Sequence, residues 1–140
     1  MNRKNLLALA FPLALAAGYG TTHAATDLVI ATVNNGHMIE MQKLTPHFEK
    51  AHPDIKLKWV TLEEGTLRSR VTTDIATKGG QFDVMTIGMY ETPIWGKKGW
   101  LKALETDAAY DVDDLLPAMR DGLSLGGKLY AAPFYGESSM

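Results

Sequence analysis

The chain has 140 residues, 46% hydrophobic and 21% charged, an ordinary globular composition that argues against wholesale disorder and against a collagen-like or coiled-coil fibre. Its 14 basic residues against 16 acidic ones give a formal charge of −2, without the basic excess that a nucleic-acid partner would need. The lack of cysteine excludes a disulfide framework, a thiolate metal site and a cysteine nucleophile together.

The first segment reads as a secretory signal peptide. Arg3 and Lys4 form a short positive start, and the apolar run Leu6 to Ala17 is too short to span a bilayer comfortably. Thr22-His23-Ala24 supplies small residues three and one before a cut after Ala24, so residues 1–24 are expected to be removed and the exported part to be 25–140. Removing Arg3 and Lys4 leaves 12 basic residues against all 16 acidic ones, a net of −4.

Strand-like and helix-like runs then alternate, the pattern of an α/β domain with a mostly parallel sheet flanked by helices. Leu28 to Val33 is a continuous β-branched and apolar run, as in a strand buried on both faces, and Asn34-Asn35-Gly36 ends it. Met38, Met41, Leu44, Phe48 and Ala51 recur at helical spacing, with Pro46 either kinking the helix or restarting it behind Thr45 as N-cap. Ile55 to Val60 alternates apolar and basic residues, which suggests a strand nearer an edge. Thr61 to Glu64 has capping-box spacing before a helix with Leu67, Val71 and Ile75 as its buried stripe, stopped by Gly79-Gly80.

Phe82 to Gly88 reads as a third strand in the sheet interior, and Thr92-Pro93 as the start of a short helix through Trp95, broken by Gly96 and Gly99. Trp100 to Leu104 is predicted as a brief strand, Asp113 as the cap of a helix through Met119, and Gly126-Gly127 as a hairpin turn before Lys128 to Ala132.

Ligands of open α/β sheets collect beyond the carboxyl ends of the strands. The loops there carry Asn34, Asn35 and His37 after the first strand, Glu63 and Glu64 after the second, and Met89, Tyr90 and Glu91 after the third, with Trp95 one turn on. Amides and carboxylates satisfy hydroxyls and aromatic rings stack on C–H faces, which suits a neutral polyhydroxylated ligand. Each group also has a plainer reading: Asn34 and Asn35 as a turn, Glu64 as a cap, Glu63 and Glu91 as solvated acids, Trp95 and Trp100 as core. His37, His47 and His52 lack the spacing of a zinc helix, and Asp111, Asp113 and Asp114 lack the glycine and distal Glu of a calcium loop, so no metal site and no cofactor are expected.

The order Leu28-Val29-Ile30, Phe48 to Leu57, Phe82-Asp83-Val84-Met85, Gly99 to Leu104 and Gly127 to Pro133 resembles the extracellular solute-binding proteins of ABC sugar importers. The loops Asn34 to Met38 and Met89 to Trp95 are similar to those of the sorbitol and mannitol binders. The resemblance implies a periplasmic-binding-protein-like type II fold, in which two lobes close on one sugar or polyol and dock on the membrane subunits of a permease, with the ATPase acting through them. It places this chain in the first lobe and implies ligand-facing positions at Asn34, Asn35, Glu63, Tyr90, Glu91 and, after Pro133, Glu137. It also implies periplasmic location and no chemistry. Because the sequence stops at Met140, in what resembles a crossing strand near the hinge, a truncated chain is expected. Two other functions fit the same residues: an exported glycosidase using two of Glu63, Glu91 and Glu137, and a binding module for a sensor or chemotaxis receptor.

Overall fold

Thr26–Val33 forms β1, and its apolar and β-branched run from Leu28 onward is matched by burial of both faces: Ile30, Ala31 and Thr32 are all buried. The computed structural model describes residues 24–136, so the signal segment ahead of Ala24 and the candidate ligand residue Glu137 lie outside the described residues. β2, Ile55–Leu62, runs parallel to β1 over its whole length, from Thr26 opposite Ile55 to Val33 opposite Leu62. β3, Val84–Met85, pairs in parallel on the other side of β1, giving the order β2-β1-β3.

Between β1 and β2 lie two helices, α1, Gly36–Lys43, and α2, Thr45–Ala51. Pro46 restarts the helix as expected, but Leu44 rather than Thr45 is the N-cap. The hydroxyl of Thr45 is already engaged, accepting from Trp59 Nε1 at 2.9 Å and so pinning α2 to β2. On the exposed side of β2, Glu49 accepts from Leu57 N–H at 3.0 Å and from Lys56 Nζ at 2.9 Å, satisfying an edge amide that would otherwise invite pairing. The Lys56 contact and the Leu57 amide hold the Glu49 carboxyl below its usual range. A depressed folded-state value contributes stability above the ordinary carboxylate range that is lost as pH falls through the folded one. Acid titration followed by circular dichroism is therefore expected to show a shallower loss of stability for Glu49→Gln than for the parent chain.

The crossover from β2 to β3 is α3, Glu64–Thr77. Leu67 and Val71 are buried with Ala31 and Trp95, and Ile75 packs against them, so the predicted stripe is the one that covers the sheet. The capping box does not form: Thr61 remains in β2 opposite Thr32, and Glu63 is the N-cap instead. At the other end Lys78 takes the left-handed conformation and Asp74, although buried, accepts from Gln81 N–H through both carboxylate oxygens at 3.0 Å. A Cβ on Gly79 would collide with Asp74 Oδ1, which that turn holds in place. Gly79→Ala is expected to cost about 1–3 kcal/mol in urea unfolding, the usual penalty of forcing extra volume into a packed site.

β3 is shorter than the apolar run Phe82 to Gly88 and, among the described residues, lies at the sheet edge with Val84 exposed, not in the interior. Asp83 extends the pairing, donating its N–H to Val29 O and accepting from Val29 N–H through its carboxylate at 2.8 Å. α4, Glu91–Lys97, begins behind Tyr90; Thr92 is inside the helix, its hydroxyl donating to Gly88 O, and Gly96 does not break it. Gly99, at φ +70°, follows the end of α4.

Trp100 to Leu104 is not a strand; only Leu104 N–H reaches across, to Leu129 O. Asp113 caps nothing and accepts from Arg120 instead, while α5, Pro117–Gly122, starts behind Leu116. The hairpin is present as β4, Ser124–Leu125, and β5, Lys128–Leu129, shorter than the run to Ala132. Gly126 and Gly127, at φ 58° and 76°, both take the positive values that a two-residue turn of this hand requires.

Candidate functional site

In a sheet of order β2-β1-β3 the chain leaves β1 to one side and later returns to the other, so a crevice opens at the carboxyl ends between diverging loops. Those ends carry Asn34 to His37, Glu63 to Arg68, and Gly88 to Glu91.

After β1, Asn34 is exposed and its backbone N–H reaches Leu62 O at 3.1 Å, tying the loop to the end of β2. Asn35 caps α1, with Oδ1 accepting from Met38 N–H at 2.9 Å, while its Nδ2 donates to the Tyr135 hydroxyl at 2.8 Å. The ring of His37 stacks on Tyr135, with centroids 5.0 Å apart and planes within 4°, and Phe134 meets the same ring edge-on. Asn35 is thus engaged at both ends of its amide.

After β2, Glu63 is exposed and accepts from Gly65 N–H at 3.2 Å as the cap of α3. Glu64 is not the cap; it occupies the first turn and pairs with Arg68 one turn on at 2.9 Å.

After β3, Glu91 is buried, and both carboxylate oxygens have partners. Oε2 accepts from Gly88 N–H at 2.7 Å; Oε1 accepts from the Tyr90 hydroxyl at 3.3 Å and faces Arg68 Nε at 3.4 Å. Glu91 therefore braces its loop. Tyr90 is 57% exposed, and the Arg68 guanidinium lies over its ring at 5.5 Å from the centroid. Desolvation, and next the neighbouring Glu91 charge, push the Tyr90 phenol above its ordinary value, while Arg68 opposes the shift. A neutral phenol is thus held at neutral pH, able to donate or accept. A Cβ on Gly88 would stand 3.0 Å from Tyr90 Cε1 and 3.1 Å from Glu91 Oε2, so glycine is what lets the loop close on these two side chains.

Trp95 goes elsewhere. It is 7% exposed and packs with Ala31, Leu67 and Val71, with Trp100 tilted against it at 6.1 Å, so the structure puts this predicted ligand residue in the core.

Tyr90 and Glu91 are thus in direct contact, Glu64 reaches them through Arg68, and Asn35 with His37 forms a second group around Tyr135. Sequence reasoning missed Arg68 and Tyr135. The Glu64 to Arg68 spacing of four on a helix is a local signal for the first. Tyr135 lies 100 residues from Asn35, and nothing local marks it.

Residues 35–140 match the family of bacterial extracellular solute-binding proteins. A mannitol-binding protein of Pseudomonas aeruginosa is 60% identical over 133 residues, which cover 94% of this chain and 29% of that protein. Among solved structures, an ABC transporter solute-binding protein of Agrobacterium vitis S4 with bound D-mannitol superposes with a TM-score of 0.76 at 66% identity, covering 79% of this chain and 27% of the other. One from Agrobacterium radiobacter K84 in complex with ribitol gives 0.70 at 25% identity, covering 80% and 29%. The chain thus spans less than a third of the length of each of these relatives.

Proposed function

Because this chain belongs to the bacterial extracellular solute-binding protein family, we propose that it forms one wall of a cleft that captures a linear polyol of the mannitol type for an ABC importer. The observation that carries the reading is the joint one: 66% identity to a protein holding D-mannitol, and a strand-end cluster in which an exposed tyrosine is held between a paired arginine and carboxylate. Residues 1–24 are read as the export signal and 25–140 as the lobe, acting in the periplasm and presenting the loaded cleft to the membrane subunits of a permease. The ligand leaves unchanged. Within the site, Asn34, Glu63 and Tyr90 face the ligand from the loops, Asn35 and Glu91 hold their neighbours in place, and Glu137, outside the described residues, is a further ligand position by family resemblance alone. The engagement of both Glu91 oxygens supports a binding role over that of a free acid or nucleophile.

The test is a two-lobed protein in which this chain replaces the matching region of the Pseudomonas mannitol-binding protein. Titration calorimetry should show saturable heat with D-mannitol, and chromatography should recover the polyol intact. No heat with any polyol, or turnover of the ligand, would overturn the reading.

A further inference from the structure

Arg68 occupies the middle of a charge network that joins two loops. Its Nη2 lies 2.9 Å from Glu64 Oε1 on its own helix, its Nε 3.4 Å from Glu91 Oε1 on the next, and its guanidinium covers one face of Tyr90. The Glu91 side chain is only 9% exposed while that of Arg68 is 46% exposed, so the pair links a carboxylate withdrawn from water to the open surface. A withdrawn carboxylate needs charged or amide donors, and here Gly88 N–H and Arg68 supply them.

Guanidinium is suited to both tasks at once. Its planar fork donates in its plane and its flat face stacks on an aromatic ring, whereas an ammonium offers a point charge with no flat face. Tyr90 is consequently held at two places, by its hydroxyl on Glu91 and by its ring on Arg68, and the remaining ring surface is presented outward. Ordering a side chain only when the ligand arrives costs affinity, and a ring fixed beforehand avoids that cost.

We propose that Arg68 is a positioning residue for ligand capture, its guanidinium presetting Tyr90 and Glu91 in the arrangement that receives the polyol. The inference rests on the polyol-binding reading, with Tyr90 as the ligand-facing group.

Two measurements test it, and the first needs no ligand. The charged groups facing the Tyr90 phenol are Glu91, Arg68 and Glu64, of which Arg68 alone favours the phenolate. In the 140-residue chain, Tyr90 is isolated as the phenolate absorbance difference between each protein and its Tyr90→Phe counterpart. Arg68→Gln should move this titration to higher pH, and Arg68→Lys should restore part of the shift by returning the charge. Second, in the two-lobed protein, Arg68→Gln should weaken D-mannitol binding about tenfold, as loss of a charge-assisted contact does, and Arg68→Lys should recover only part of it. A Tyr90 titration that does not move, or a mannitol affinity unchanged in Arg68→Gln, overturns the proposal. Absence of polyol binding by the unsubstituted two-lobed protein overturns the polyol reading instead, and the Tyr90 titration then decides by itself whether Arg68 holds the ring.

Discussion

Trp95→Ala is expected to lower the urea midpoint of the chain sharply. Trp95 closes the core formed by Ala31, Leu67 and Val71, with Met85, Ile87 and Trp100 packed around it. Truncating a buried tryptophan costs about 3–5 kcal/mol, because the lost transfer energy is joined by a cavity that a rigid sheet cannot collapse around. That is a large share of the roughly 5–15 kcal/mol by which small domains are stable. Urea unfolding followed by circular dichroism measures it. The same position separates a core tryptophan from a ligand-stacking one: in the two-lobed protein, Trp95→Leu keeps an apolar filler and removes the ring. Folding with near-parental mannitol affinity is the expected result, and a folded protein that has lost mannitol would place the ring at the ligand.

The second large effect concerns the lobe by itself. Pocketed small ligands have about 70–90% of their surface buried, and a single wall supplies a fraction of that. The Tyr90 to Glu91 cluster is open, with Tyr90 57% exposed, so nothing among the described residues covers a ligand from the far side. The 140-residue chain alone is expected to bind D-mannitol at least about 100-fold more weakly than the two-lobed protein, and its melting temperature to be unmoved by millimolar mannitol. An upward shift of a sharp, monomeric melt would show that one lobe is a sufficient binding domain.

Much of the fold was legible where one physical requirement dominates. β1 announces itself because a strand covered on both faces must be apolar throughout, α3 because Leu67, Val71 and Ile75 must share a face, and the hairpin because two positive φ values in succession favour Gly126-Gly127. The misread features are those in which a side chain had competing uses. Thr45 and Thr61 have good capping chemistry, but Trp59 engages the first and strand pairing with β1 takes the second. Asp113 was attractive as a cap and pairs with Arg120. Trp100 to Leu104 has strand composition, but its backbone bonds go to the preceding helix, Trp100 N–H to Trp95 O, and to one residue of β5, Leu104 N–H to Leu129 O, so no ladder forms.

The site was legible as a set of loops, less so as a set of roles. The strand-end rule selects three loops that the structure brings to one end of the sheet, yet which residue faces outward depends on contacts between loops. Tyr90 projects because Glu91 and Arg68 hold it from beneath, and Asn35 is occupied because Tyr135 returns to it from the end of the described chain. Burial separates Trp95 from Tyr90, five residues apart on the same segment, and composition treats the two rings alike.

A crystal structure of the two-lobed protein with D-mannitol tests most directly the claim that this chain provides one wall of a polyol cleft. The expected result is mannitol against the loops after β1, β2 and β3, with Tyr90 in contact, Glu91 still bound to Gly88 and Arg68, and Trp95 still in the core. Mannitol bound by the other lobe alone, or away from these strand ends, would contradict it.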